Sequence, residues 1–483
     1  MSALTELKPA GLWKHFEAVL KIPHGSGNEK ALAEHVIAHA RRLGLSSTKD
    51  KAGNVIVRMP ASAGRESIAP TVLQGHLDMV CEKNSDVKHD FLKDPIQAVV
   101  ENGWVRAVGT TLGADNGIAV ATCLAIMEDG SLVHGPLEFL FTVDEETGLN
   151  GARGIVPGAL KGRRLLNLDS EEEGTFTIGC AGGADSEISL PLVRKASRLK
   201  TAFRLKISGL RGGHSGIDIN AGRANALKLI ARALRQTGPT LPFELLGIEG
   251  GNKHNAIPRE AWADLLLSPA KVPAFQTYLD KALAAFRTEF GTVEKDLAGS
   301  IEEIARPKLE PLASASRDGL LDLLLACPHG VLRMHPEIAG LVETSNNLAI
   351  LRTPKSKAHI VCSSRSPVAA ALEGVRLSLK SLARLAGAKI AQPAGYPGWA
   401  PNLNSTILGT LKELHRKVTG RDAEIVAIHA GLECGIIGEK FPGMDMISFG
   451  PTIVHPHSPE EGVEIATVEH FWTFLTTVLS SLT

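Results

Sequence analysis

Four short segments set acids, and in one case a histidine, where buried strands are expected to end: Gln74-Gly75-His76-Leu77-Asp78, Gly113-Ala114-Asp115-Asn116-Gly117, Val143-Asp144-Glu145-Glu146-Thr147-Gly148 and Leu166-Asn167-Leu168-Asp169-Ser170-Glu171. Taken singly, each has the composition of a solvated loop or a helix cap. Recurring with one placement, they point to a shared site, because ligands of open α/β sheets bind beyond the carboxyl ends of the strands. Imidazole and carboxylate donors suit zinc, at about 2.0–2.2 Å, and one carboxylate shared by two ions sets them about 3.5–4 Å apart. Asp115 is a candidate for that shared group. Asp78, two residues after His76, is placed to accept the ring's other N–H and fix its tautomer. Of the adjacent Glu145 and Glu146, one can bind metal while the other takes a proton from water. A second histidine ligand is needed, and Val454-His455-Pro456-His457-Ser458-Pro459-Glu460-Glu461 offers two, between which spacing does not choose.

Such residues need a rigid frame. The first third of the chain alternates helical spacing (residues 12–22 and 28–43), strand-like runs (54–58, 71–74) and an apolar helix (117–127), followed by short buried runs at 137–143 and 165–168. This order predicts an α/β fold with a largely parallel or mixed sheet covered by helices on both faces. Near residue 185 the pattern changes, and 203–208 alternates strictly, as a half-exposed antiparallel strand does. Helices are expected at 223–235, 273–290 and 368–385, the last behind Pro367, with strands at 243–248, 262–267, 348–351 and 358–362. The Pro/Gly-rich stretch 392–398 reads as a linker whose Gly395 and Gly398 are candidate hinges. Strand character resumes at 424–428 and 444–449, and 468–482 is a terminal helix. The simplest organisation is one catalytic α/β domain, residues 1–185 and 397–483, interrupted by an inserted α+β domain, residues 186–396.

Composition agrees with that frame. The 483 residues suffice for two or three domains at roughly 100–200 residues each. With 44% hydrophobic and 22% charged residues the chain has a globular composition, and its 52 basic and 52 acidic residues leave no net field to gather nucleic acid or anionic lipid. The six cysteines form no C-x-x-C pair and no disulfide framework. The first 21 residues lack the apolar core of a secretory signal, and the apolar run 117–127 is far short of the roughly 20 residues that span a bilayer. A cytoplasmic location is therefore expected, without nucleic-acid or membrane partners.

Five motifs carry a resemblance. Gly75-His76-Leu77-Asp78-Met79-Val80-Cys81-Glu82-Lys83-Asn84, Gly113-Ala114-Asp115-Asn116-Gly117, Asp144-Glu145-Glu146-Thr147-Gly148, Gly212-Gly213-His214-Ser215-Gly216 and His429-Ala430-Gly431-Leu432-Glu433-Cys434-Gly435 follow one another over nearly the whole chain. In that order they resemble the aminoacyl-histidine dipeptidases, also called Xaa-His or cytosol non-specific dipeptidases. These are a branch of the co-catalytic di-zinc peptidase and deacylase family. The resemblance implies a catalytic domain interrupted by a lid that also forms a homodimer. It implies that His76, Asp115 and Asp169 hold one zinc and Asp115, Glu146 and His457 the other, with cobalt or manganese as alternative metals. Glu145 is then the general base, with Asp78 beside the metals. His457 is preferred to His455 because the family's histidine precedes a small residue, then Pro and two acids; Glu460 stands where an Asp is usual. His214 is implied to reach the partner protomer's site and donate to the oxyanion. Asn255, Arg365 and Gly431 are implied to contact substrate, Arg365 through its terminal carboxylate.

The implied activity is hydrolysis of unblocked dipeptides, led by Xaa-His substrates of the carnosine type. The alternatives are a deacylase or carboxypeptidase acting on N-acylated amino acids, and a non-catalytic peptide-binding relative. Gly213-His214-Ser215-Gly216 lacks the spacing of a nucleophile elbow, and no P-loop or G-x-G-x-x-G fingerprint occurs.

Overall fold

A computed structural model describes residues 3–237 and 241–483. It divides into two compact units, the first formed by Met1–Cys180, Trp399–Ala427 and Leu432–Thr483 and the second by Ala181–Gly398 and Ile428–Gly431. No described helix is long and apolar enough to cross a membrane, and all six cysteines are free thiols.

In the first unit the apolar runs become the inner strands of an eight-stranded sheet. Its order is Ser46–Lys49, Val55–Met59, Leu137–Thr142, Thr71–His76, Arg164–Asn167, Asp445–Ser448, Thr175–Cys180 and Glu424–Ile428. Thr71–His76 runs parallel to both neighbours, and Asp445–Ser448 extends the parallel set. Val55–Met59 and Ser46–Lys49 add an antiparallel edge. Thr71–His76 and Leu137–Thr142 are buried along their whole length, which is why their sequences run apolar instead of alternating. Register pairs His76 with Thr142 and Gln74 with Asn167, so three parallel strands end at nearly one level. The helix Ala114–Glu128 is buried from Ala114 to Met127, and its Ile118, Ala121 and Ala125 share a core with Leu12, Trp13 and Phe16 of the helix Ala10–Leu20.

A separate four-stranded sheet, ordered Ile453–Val454, Gly462–Glu464, Trp104–Ala107 and Ala98–Glu101, was not legible as strands in sequence. Its first two strands are the arms of a hairpin, and residues 455–461 are its loop.

The second unit is built on a nine-stranded sheet whose strands pair antiparallel. The expected alternation is visible in Ala202–Ser208. Helices Ala226–Thr237, Val272–Phe290, Ser314–Ala326 and Ala369–Leu385 bury Ile230, Phe275, Leu320 and Leu379 in one apolar core. The first of these starts at Ala226 and not at residue 223, because the Asn225 side chain accepts the backbone N–H groups of Leu227 and Lys228 and so caps it. The stretch 392–398 is no free linker: Tyr396 and Gly183 exchange both backbone hydrogen bonds. Trp399 and Cys180 do the same within the first unit. Ladder pairing satisfies the backbone that a flexible hinge would leave to water.

Candidate metal centre

The parallel strands of the first unit deliver the acids. His76 is the last residue of its strand, Glu145 and Glu146 follow Leu137–Thr142 by three and four positions, and Asp169 follows Arg164–Asn167 by two. Asp115 lies at the start of the helix Ala114–Glu128, behind Gly113, whose φ of +74° favours glycine. Gly75 is required for a different reason, since a Cβ there would sit 2.3 Å from Asn116 Oδ1. That space is used: Asn116 Oδ1 accepts the His76 N–H and its amide donates to the Leu168 carbonyl, tying three site segments together.

The two oxygens of Asp115 face different histidines. Oδ1 lies 3.1 Å from His76 Nε2, and Oδ2 lies 3.1 Å from His457 Nε2. Asp169 Oδ1 is 3.3 Å from His76 Nε2, and Glu146 Oε1 is 3.0 Å from His457 Nε2. The ligand atoms thus form two groups, His76 with Asp115 and Asp169, and Asp115 with Glu146 and His457, each within 4.8 Å. Glu145 belongs to a third group of the same size with His76 and Glu146. Of the two histidines in the hairpin loop, His457 joins these groups, while His455 joins none among the described residues. Asp144 and His457 hold φ of 51° and 61°, left-handed values uncommon outside glycine and recurrent where a loop is bent for function.

Electrostatics favour positive charge here. Burial opposes protonation of His76, yet the Asp169 charge and bonds to Asp115, Asp169 and Asp78 outweigh it and raise the ring well above its ordinary range. Bonds to Asp115 and Glu146 push His457 up to about 11. Burial raises Asp169 to about 6 and Glu171 to about 8, and moves Glu145 well above the carboxylate range. So many acids crowded around two imidazoles, with Glu146 Oε1 buried against His457, match a site for bound cations with nitrogen and oxygen donors.

Asp78 does more than partner the ring. His76 Nδ1 donates to the Asp78 backbone carbonyl at 3.0 Å, which leaves Nε2 as the lone-pair atom, while the Asp78 carboxylate stands 3.4 Å away. That carboxylate also accepts the backbone N–H groups of Glu145 and Glu146 at 3.0 and 3.2 Å and the Ser26 hydroxyl at 2.8 Å. It fixes the turn that aims the two glutamates. Burial opposes its charge, but bonds from His76, Glu145 N–H and Ser26 hold it down at about 2.

Three further acids escaped the sequence reading. Glu171 shares the electrostatic environment of Asp115 and Asp169, and its place two residues after Asp169 was the available signal. Glu433 is fully buried, accepts from Gln74 and Thr142, and is raised by burial to about 7. Glu461 accepts four backbone N–H groups, those of Leu112, Gly113, Ala114 and Asp115, at 2.7–3.3 Å. These are donors a helix start leaves unsatisfied, and the carboxylate meets them with favourable charge. Glu461→Ala is therefore expected to cost about 3 kcal/mol of stability and to weaken metal affinity about 10–100-fold through a misplaced Asp115. Calorimetric metal titration beside Glu460→Ala as control checks this; unchanged affinity would remove Glu461 from the role.

The remaining candidates lie in the second unit. His214 Nδ1 accepts from Gly216 and Ile217 N–H, which places the ring proton on Nε2. Arg365 Nη2 is 3.5 Å from that nitrogen, its Nη1 donates to the Tyr396 hydroxyl at 3.0 Å, and its Nε is buried without a partner. Among the described residues no carboxylate lies within ion-pair distance of this buried guanidinium. Two donors facing one another call for a shared anionic acceptor. Asn255 is exposed, and its carbonyl accepts Ser215 N–H beside the paired strands Gly213–His214 and Ala256–Ile257. Gly431 ends the segment Ile428–Gly431, where His429 Nε2 meets Ser345 Oγ at 2.7 Å.

Comparison with known proteins adds four relationships. Residues 72–481 match the family described as Peptidase family M20/M25/M40. The chain is 43% identical to a cytosol non-specific dipeptidase of Escherichia coli K12 over 484 residues, covering 100% of this chain and 99% of that one. It is 42% identical to the crystal structure of aminoacylhistidine dipeptidase from Vibrio alginolyticus, with a TM-score of 0.92 over 100% of this chain and 98% of the other. An aminopeptidase PepT from Bacillus cereus shares the fold alone, at 14% identity and a TM-score of 0.58 over 99% of each chain.

Proposed function

The chain belongs to peptidase family M20/M25/M40, and on that premise we propose that it is a metal-dependent dipeptidase of the cytoplasm that cleaves unblocked dipeptides, Xaa-His dipeptides first. The observation that carries the reading is the Asp115 carboxylate, with one oxygen 3.1 Å from His76 and the other 3.1 Å from His457. His76, Asp115 and Asp169 hold one ion, and Asp115, Glu146 and His457 the other. When bound, two zinc ions, or cobalt or manganese in their place, supply Lewis acidity that lowers the pKa of water and polarises a carbonyl.

The chain's own groups do the rest. Glu145, held by its backbone N–H to Asp78, takes the proton of the attacking water and passes it to the leaving amine. Arg365, buried and lacking a carboxylate partner among the described residues, receives the substrate's terminal carboxylate. His214 donates from Nε2 to the tetrahedral oxyanion, and Asn255 and Gly431 bound the substrate. In a homodimer through the lid, each protomer's His214 serves the other's site.

The deciding experiment measures free histidine released from an Xaa-His dipeptide by chelator-stripped protein, before and after zinc is added, with the N-acetylated dipeptide alongside. Zinc-dependent cleavage of the free dipeptide alone is expected. Cleavage of only the acetylated compound would make the protein a deacylase, and silence on both would make it a binding protein.

A further inference from the structure

The first unit carries a second constellation of ligating side chains, at its amino-terminal helices. His15 lies on Ala10–Leu20, and His35 and His39 lie four residues apart on one face of Lys30–Arg42. Glu128 closes the group from the last position of Ala114–Glu128. A cavity of about 350 Å³ opens between the first two helices, with Lys14, His15 and Ala18 on one side and His35, His39 and Arg42 on the other. Ligand atoms of His15, His39 and Glu128 lie within 4.8 Å of one another. His15 Nε2 is 2.7 Å from Glu128 Oε2, and the His15 and His39 rings stand nearly perpendicular with centroids 4.9 Å apart.

Two features point to a missing ligand. The Nε2 atoms of both His35 and His39 are buried without a hydrogen-bond partner, and the His39 residue is only 6% exposed. Buried orphans of this kind are rare in folded proteins. The cations beside Glu128 lie at the surface: Lys14 and Arg42 reach it at 3.2 Å, and Arg42 also stands 3.2 Å from His39 Nδ1, but their side chains are 64% and 57% exposed and can swing into solvent. Glu128 itself decides the ligand's sign, because a carboxylate 2.7 Å from an imidazole nitrogen repels an anion and supplies a third donor to a cation. Burial lowers all three histidines from their ordinary range, so the rings are lone-pair donors.

We propose that His15, His39 and Glu128, with His35 in support, form a third metal site that takes a divalent transition metal such as zinc, nickel or copper. Imidazoles with one carboxylate are the donor set for these ions, and His35, four residues before His39 on the same helix, lines the same cavity. The ion would cross-link three helices, one of which carries Asp115 at its opposite end.

The test is a calorimetric titration of chelator-stripped wild type and His39→Gln with Zn²⁺. Wild type is expected to take up one ion more per chain than the variant, a difference that does not depend on how many ions the dipeptidase site holds. Glu128→Gln, at a partly exposed position, keeps the histidine packing and is expected to weaken the extra site about tenfold or more; it carries the comparison if His39→Gln does not fold. Equal ion counts in wild type and a folded His39→Gln would overturn the proposal. So would stabilisation of wild type by inorganic phosphate that is lost in Arg42→Ala, since the cavity would then be an anion site.

Discussion

Asp115→Ala is expected to fold and yet lose two ions per chain relative to wild type, with kcat/KM reduced by about 10³-fold or more. The size follows from the several kcal/mol of charge stabilisation that bound metal gives a transition state, at a factor of ten for each 1.36 kcal/mol. The breadth of the loss follows from geometry, because the two oxygens of Asp115 face His76 and His457 separately. No neighbour can replace it: Asp169 reaches only His76 and Glu146 reaches only His457 at comparable distance. Burial opposes a charged Asp115, but bonds from His457 and His76 hold it below the usual carboxylate range, so it is ionised wherever the protein works. Metal analysis of the purified variant beside its circular dichroism checks this. Loss of a single ion would show that the carboxylate serves one position, and the shared-ligand reading would fall.

How much of this was visible in the residues depends on how local each partner is. His76, Glu145, Glu146 and Asp169 were legible because parallel strands buried on both faces read as apolar runs, and an acid directly after such a run stands out. The alternation of Ala202–Ser208 marked the second unit for the same reason. Roles that depend on distant segments were not legible. Glu461 looked like the tail of a histidine motif, yet it anchors backbone 346–349 residues earlier. Glu433 is held by Gln74 from 359 positions away. Asp78 is legible as a partner for the ring two residues off, but not as the carboxylate that also holds the N–H groups of Glu145 and Glu146, more than 60 positions on. The stretch 392–398 ends where the chain passes from the second unit back to the first, as its composition suggests, but the pairing of Tyr396 with Gly183 is not legible from proline and glycine content. Spacing could not separate His455 from His457, since the left-handed backbone that both adopt belongs to the folded hairpin loop.

Glu145→Gln should leave the ion content and KM close to wild type and lower kcat by about 10²–10⁴-fold, the range of a lost general base. The amide keeps the shape of the side chain, and the contact that positions it is the backbone N–H to Asp78, which the substitution does not touch. Loss of an ion would recast Glu145 as a ligand, for which its grouping with His76 and Glu146 supplies the geometry; retained turnover would remove it from the mechanism. The same variant also tests His214. If that ring acts across a dimer, His214→Ala protein has an intact metal site and lacks only the donor, whereas Glu145→Gln protein still offers a donor to its neighbour. Mixing the two after dissociation would then restore up to about a quarter of wild-type activity, because half of randomly paired dimers are mixed and each has one complete site. A donor acting within its own chain leaves every mixed dimer with two broken sites, so a mixture as inactive as its parts, with exchange of protomers demonstrated, would return His214 to its own protomer.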